Sequence, residues 1–212
     1  MTLNLPTFIP VLTLILGFST LIFAIIKWLI DQKRTHRLSS VHVASLLEGI
    51  AEQCLLVSYD EGTWNERGGS NFGDGQNTPT AEVPEFPVFA DINNVGHIRL
   101  MHLNRLLALA PIQNNISSYL SHVYEHDFGP RDGYFHDRQI LYVGFGEYIS
   151  RLAYNIRTDV NAVGIGSLAS DTSQRLKAQL AKLIIDSGID AVHIKEMYEK
   201  FFLPTTESYW PE

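Results

Sequence analysis

The run Phe8-Ile-Pro-Val-Leu-Thr-Leu-Ile-Leu-Gly-Phe-Ser-Thr-Leu-Ile-Phe-Ala-Ile-Ile26 decides how the rest of this chain is read. No side chain from Met1 to Ile26 carries a charge. At ~1.5 Å rise per residue, a helix of that length nearly matches a hydrocarbon core of ~30 Å. Lys27 can reach back toward water while Trp28-Leu29-Ile30 completes the crossing. Pro10 falls in the first turn, where a missing N–H does little harm. The expectation is a transmembrane helix over residues 8–30, in contact with lipid.

A cleaved signal peptide fits this segment poorly. A positive n-region is missing, the apolar stretch is too long, and no small-x-small site follows it. The basic residues Lys27, Lys33, Arg34 and Arg37 lie after the span, against a single acidic Asp31. By the positive-inside rule, the short N-terminus lies outside and the remainder is cytoplasmic.

Charge is unevenly placed along the 212 residues. The whole chain has 16 Lys and Arg, 23 Asp and Glu and a net charge of −7, but from Leu38 onward the figures are 12, 22 and −10. Such a domain repels phosphate backbones at long range, which disfavours nucleic acid as a partner. Cys54 is the one cysteine, so an internal disulfide is impossible. Its neighbours Ile50, Ala51, Leu55 and Leu56 give it the setting of a small apolar core residue.

Working outward from the span, Asp31–Arg37 continue the anchor helix toward an amphipathic helix over Ser39–Val57. Val43, Leu46, Leu47, Ile50 and Cys54 recur there at helical spacing. Residues 58–94 then break every helical rule, with five glycines followed by Pro79, Pro84 and Pro87. A loop of that length is either disordered or functional. Its aromatic second half, Val83–Phe89, is expected to pack on the domain, and the glycine-rich first half to be mobile.

A helix over Asn94–Ala110 is expected to turn Ile98, Leu103, Leu106, Leu107 and Ala110 inward. Pro111 kinks it or opens a new helix carrying Ile112, Ile116, Tyr119, Leu120 and Val123. A further helix spans Asp132–Arg157, with Leu141, Phe145, Tyr148, Leu152 and Ile156 on its buried side. Gly144 and Gly146 interrupt it, and glycine inside a helix points to close backbone approach. Helices over Asp171–Ser187, opened by an Asp171-to-Gln174 capping box, and over Asp190–Leu203 complete the set. No strand is expected.

The fold class is therefore all-α: a single N-terminal transmembrane helix followed by a soluble helical bundle with one long Gly/Pro-rich loop. Residues 1–37 form the anchor and basic juxtamembrane segment, residues 38–204 the helical domain with its 58–94 loop, and residues 205–212 a tail.

Two short motifs carry candidate chemistry. His122-Val-Tyr-Glu125-His126 matches the H-x-x-E-H of inverzincin metalloproteases. Two histidines four apart share a helix face and can bind one zinc, with Glu125 acting on a bound water. His136, Asp137, Glu196 or Glu199 could supply a third ligand. Arg131-Asp-Gly-Tyr-Phe-His136 matches the R-polar-x3-H of HEPN ribonucleases, with His136 moving a proton and Arg131 stabilising phosphate charge. Against both stands a plainer expectation of solvated or boundary histidines, with Arg131, Asp132, Asp137 and Arg138 forming a solvated helix start. Gly144-Phe-Gly146 runs on to Ile149 and so fails the dinucleotide fingerprint.

The favoured functional reading is a single-pass membrane protein whose cytoplasmic helical domain binds other proteins as a scaffold or regulatory subunit. A zinc hydrolase using His122, Glu125 and His126 is the first alternative, and a HEPN-like ribonuclease using Arg131 and His136 the second. Aromatic residues in the long loop and the tail favour protein contact, since Trp, Tyr and Phe are enriched at interfaces.

Overall fold

The computed structural model describes residues 5–65, 76–87, 98–126, 132–162, 169–187 and 191–202. Five helices dominate them: α1 (Leu5–Ser58), α2 (Leu100–His126), α3 (Asp132–Asp159), α4 (Ala169–Ser187) and α5 (Ala191–Phe202). The expected anchor and first domain helix are one uninterrupted helix. From Thr13 the side chains of α1 stay largely exposed through Leu38, and many are buried from Ser39 onward. Nothing between Lys27 and Ser40 breaks a helix, because Asp31–Leu38 holds no glycine or proline.

The C-terminal half of α1 lies antiparallel against α3. Arg37 reaches the Asn161 carbonyl, Cys54 meets Gly146, and Asp60 just beyond α1 pairs with Arg138. α2 runs antiparallel to α3 in turn: His102 meets Asp159 and Tyr119 meets Asp137. α4 returns alongside α1, with Thr172 bonded to Glu52 and Gln179 to the Ser58 carbonyl. α5 sets Tyr198 and Phe202 against Gly144, and Phe201 against Tyr119. The bundle thus has a proximal end, continuous with the anchor, and a distal end near Asp60 and the start of α3.

α3 is the hub. Every residue from Arg138 to Ser150 is buried, so this helix has no solvated side over more than three turns. The five expected inward residues of α3 are buried, and so are Val43, Leu47, Ile50 and Cys54 of α1. Burial pushes the Cys54 thiol far above its ordinary range, which leaves it inert.

Three expectations need correction. α2 begins at Leu100 and passes through Pro111 without ending. Its buried residues are Leu106, Leu109, Ile112, Ile116 and Leu120, while Leu107 and Ala110 are exposed. One continuous helix has one phase, and the phase set by Ile112, Ile116 and Leu120 places Leu109 inward. The expected cap at Asn93 or Asn94 lies outside the described residues. The long loop also contains strands: β1 (Thr63–Asn65) pairs antiparallel with β2 (Gln76–Thr78). Gly62 precedes β1 with φ +75°, a backbone conformation glycine adopts without a Cβ penalty. Finally, α4 starts at Ala169, so Asp171 stands in its first turn rather than capping it.

The second half of the loop packs as expected: Pro84 is buried, its carbonyl accepts from Gln113 Nε2 at 2.6 Å, and Phe86 lies 5.4 Å from the Phe145 ring. The expectation of mobility in the glycine-rich half falls mostly on 66–75, outside the described residues.

Gly144 and Gly146 of α3 mark close approach. A Cβ on Gly146 would stand 2.9 Å from Cys54 Cβ and 3.1 Å from both δ-carbons of Leu176. Overpacking of this kind costs about 1–3 kcal/mol, against a helix-propensity gain of up to ~1 kcal/mol. Gly49, on α1, has nothing within 4 Å of the same position. Gly146→Ala should therefore lower the chemical denaturation midpoint of the detergent-solubilised chain, and Gly49→Ala should raise it. A rise in both would contradict the packing described here.

Candidate functional site

The apolar N-terminal part of α1 is the largest feature the bundle leaves unexplained. α1 is long and apolar enough to span a membrane, and none of its most apolar stretch is buried against the rest of the chain. Leu14, Phe18, Phe23 and Ile30 are each more than half exposed, as is Trp28. A helix apolar all round normally lies inside a protein core or a bilayer, and here no core surrounds it.

Its polar atoms suit lipid as well. Ser19 Oγ donates to the Leu16 carbonyl at 2.9 Å, and Thr20 Oγ1 to the Gly17 carbonyl at 2.8 Å. Both hydroxyls are thus satisfied by their own helix, as hydrocarbon surroundings require. The exposed bases Lys27, Lys33, Arg34 and Arg37 then follow on the same helix.

Two buried arginines hold α1 to α3. Arg157 donates to Glu48 through Nε at 2.6 Å and Nη2 at 2.8 Å, and Nη2 also reaches Ser45 Oγ at 3.0 Å. Arg138 donates to Asp60 through Nη1 and to the Ala81 carbonyl through Nη2 at 2.6 Å. The Asp60 carboxylate further accepts from the backbone N–H groups of Gly62, Thr80 and Ala81 and from the Thr80 hydroxyl. Burial alone would raise its pKa, but these donors outweigh it and hold the carboxyl below its usual range. Asp60 therefore ties the start and the return of the long loop to the hub helix.

Arg138 is thus no part of a solvated helix start, contrary to expectation: its side chain is 2% exposed. The helix begins six residues earlier, and by Arg138 its face has turned into the bundle. Asp137 is half-buried and accepts from Tyr119 OH at 2.8 Å.

His122 and Glu125 are exposed near the distal end of α2. The side chain of His126 and all of Arg131 fall outside what the structure describes. His136 is half-buried on α3; burial lowers its pKa while Asp137 opposes that shift. Its Nε2 meets no hydrogen-bond partner among the described residues. Glu196 and Glu199 are exposed on α5. Among the described residues, no group of three or more His, Cys, Asp or Glu is placed to hold a metal ion.

No protein-family model matches the chain, and comparison with curated proteins and with solved structures finds no match. Sequence reasoning missed Glu48 and Asp60 altogether. Glu48 had a signal, a carboxylate inside an apolar helix face, whereas Asp60 sits in a polar stretch that reads as solvent-exposed.

Replacing Asp60 by Asn leaves the Arg138 guanidinium buried without its counter-charge, a loss of about 3–5 kcal/mol for a broken buried pair. The folded carboxyl titrates below the ~3.9 of an unfolded Asp, so its stabilisation is present above that pH and fades as pH falls through the window beneath it. The gap in unfolding midpoint between wild type and Asp60→Asn should accordingly be wide at pH 7 and narrow below about pH 4. A gap that stays constant with pH would contradict the assignment.

Proposed function

We propose that this chain is a single-pass membrane protein whose N-terminal helix holds an acidic helical bundle beside the bilayer as a protein-binding scaffold or regulatory subunit. The observation that carries the membrane part is the apolar stretch, uncharged up to Ile26 and exposed from Thr13, that runs without a break into the core-forming half of α1. A buried core helix passes the same length and composition test, but this segment touches no core. The basic residues after the span support a cytoplasmic bundle with the N-terminus outside.

The interaction part rests on the bundle's surface chemistry. It is strongly acidic from Leu38 onward, and Leu107, Tyr154, Ile185 and Val192 are each at least 45% exposed. Large apolar side chains on an acidic surface suit contact with other proteins. The zinc and ribonuclease readings gain no comparable support, since His122 and Glu125 are exposed and no acid or histidine completes a ligand set with them among the described residues.

Leu16→Arg combined with Leu21→Arg separates anchoring from folding, because both side chains are more than half exposed and support no packing. Each arginine near a span centre costs about 2.5–3.5 kcal/mol of insertion free energy. The wild-type chain should remain in the carbonate-washed membrane pellet, and the variant should move largely to the supernatant with its far-ultraviolet helical signal intact. Equal retention of both would overturn the anchor. Gentle solubilisation should co-purify the wild type with a defined protein in stable proportion, and a chain that elutes as a lone species would overturn the scaffold reading.

A further inference from the structure

The proximal end of the bundle carries its own apolar and basic surface, distinct from the span. Arg99 immediately precedes α2, its carbonyl accepting from the N–H groups of His102 and Leu103. The next two residues, Leu100 and Met101, are 71% and 55% exposed. Their height along the bundle is set by Asp159, which binds Arg99 at 3.1 Å and His102 at 2.6 Å. Two residues further on, the Asn161 carbonyl accepts from Arg37. The first turn of α2 therefore stands level with Arg37 and Leu38 of α1, and Leu38 is exposed as well.

We propose that Leu100 and Met101, with Leu38 and the flanking basic residues, form a second membrane contact that seats the bundle in the lipid headgroup layer where α1 emerges. This rests on α1 crossing the bilayer. From Ile30 to Leu38 an upright helix rises about 12 Å, past a headgroup region about 5–8 Å thick, and a tilt near the upper end of the usual range of about 0–40° lowers that rise to about 9 Å, within reach of a long side chain. Cα–Cβ bonds on a helix tilt toward its N-terminus, and the N-terminal ends of both α1 and α2 face the anchor. Leucine and methionine side chains at this height thus lean toward the lipid and reach into that layer.

Charge favours the same seating. The bundle as a whole repels an anionic leaflet, yet Lys33, Arg34, Arg37 and Arg99 are all exposed at this end. Among the described residues, Asp31 lies on the same helix as three of them, and Asp159 is paired with both Arg99 and His102. Basic groups beside a bilayer are attracted to anionic lipid. The polarity of the domain, basic below and acidic above, thus orients it on the membrane.

The test uses the full chain in phosphatidylcholine vesicles with and without phosphatidylserine. An environment-sensitive fluorophore is attached at Met101→Cys, at Phe23→Cys in the span, or at Ser121→Cys near the distal end. Cys54 is fully buried and stays unlabelled. Lipids carrying a nitroxide in the headgroup should quench position 101 and shift its emission to the blue, more strongly with phosphatidylserine, and leave position 121 unaffected. Adding Leu100→Glu should abolish quenching at position 101. A nitroxide deep in the acyl chains should quench position 23 in every case. Quenching at 23 with water-like emission at 101 overturns the second contact and leaves the anchor standing. Absence of quenching at 23 overturns the anchor, and the second contact with it.

Discussion

The backbone hydrogen-bond ladder of α1 is what the rest of the molecule depends on. Between its end turns this 54-residue helix pairs its peptide groups internally, which is the condition for entering hydrocarbon. The same ladder then supplies a wall of the bundle core. From Leu14 to Ile26 the side chains are predominantly apolar on all sides and exposed; further along, Val43, Leu47, Ile50 and Cys54 are buried in the core while Glu52 reaches α4. Without a glycine or proline at the junction, the bundle has no leash on which to swing. As the proposed anchor, such a helix transmits orientation as well as location.

Against that rod the hub helix α3 is placed by charge as well as by shape. Apolar burial supplies the driving force, but it is non-directional and tolerates sliding. Glu48–Arg157 and Asp60–Arg138 set the register of α3 on α1 at two heights, because a guanidinium bonded through several N–H groups admits little displacement. Net stability from a buried pair of this type is small, because desolvation offsets much of the attraction. The Asp60 pair extends the same control to the loop, since its carboxylate also holds the backbone of Gly62, Thr80 and Ala81. Pro84 and Phe86 are thereby brought back over α2 and α3.

Much of this was legible in the sequence where a physical pattern repeats. The span, the apolar face of α1 from Val43, the inward residues of α3 and the approach at Gly144 and Gly146 all follow from periodicity, or from glycine in an otherwise sound helix. The phase of α2 was not legible, because Pro111 invited division of one helix into two and the first part was assigned its own face. The role of Asp60 was hidden for a different reason. Its partners Thr80, Ala81 and Arg138 are distant in sequence, and each reads alone as an ordinary surface residue. Buried polar networks assembled from remote positions have no local signature, and the H-x-x-E-H match shows the converse: it is local, but the structure adds no third ligand to it among the described residues.

The most direct test of one rod serving both lipid and core is a distance across the junction. Spin labels at Phe23→Cys and His42→Cys, both exposed, bracket the segment between span and bundle in the full chain reconstituted in lipid nanodiscs. An unbroken helix sets their Cα atoms about 28 Å apart. Pulsed electron–electron resonance should show a single narrow distribution near that separation, allowing for the label arms. A broad distribution, or one centred well below it, would mean that the helix breaks between the membrane and the bundle, and the account of a rigidly mounted domain would fail.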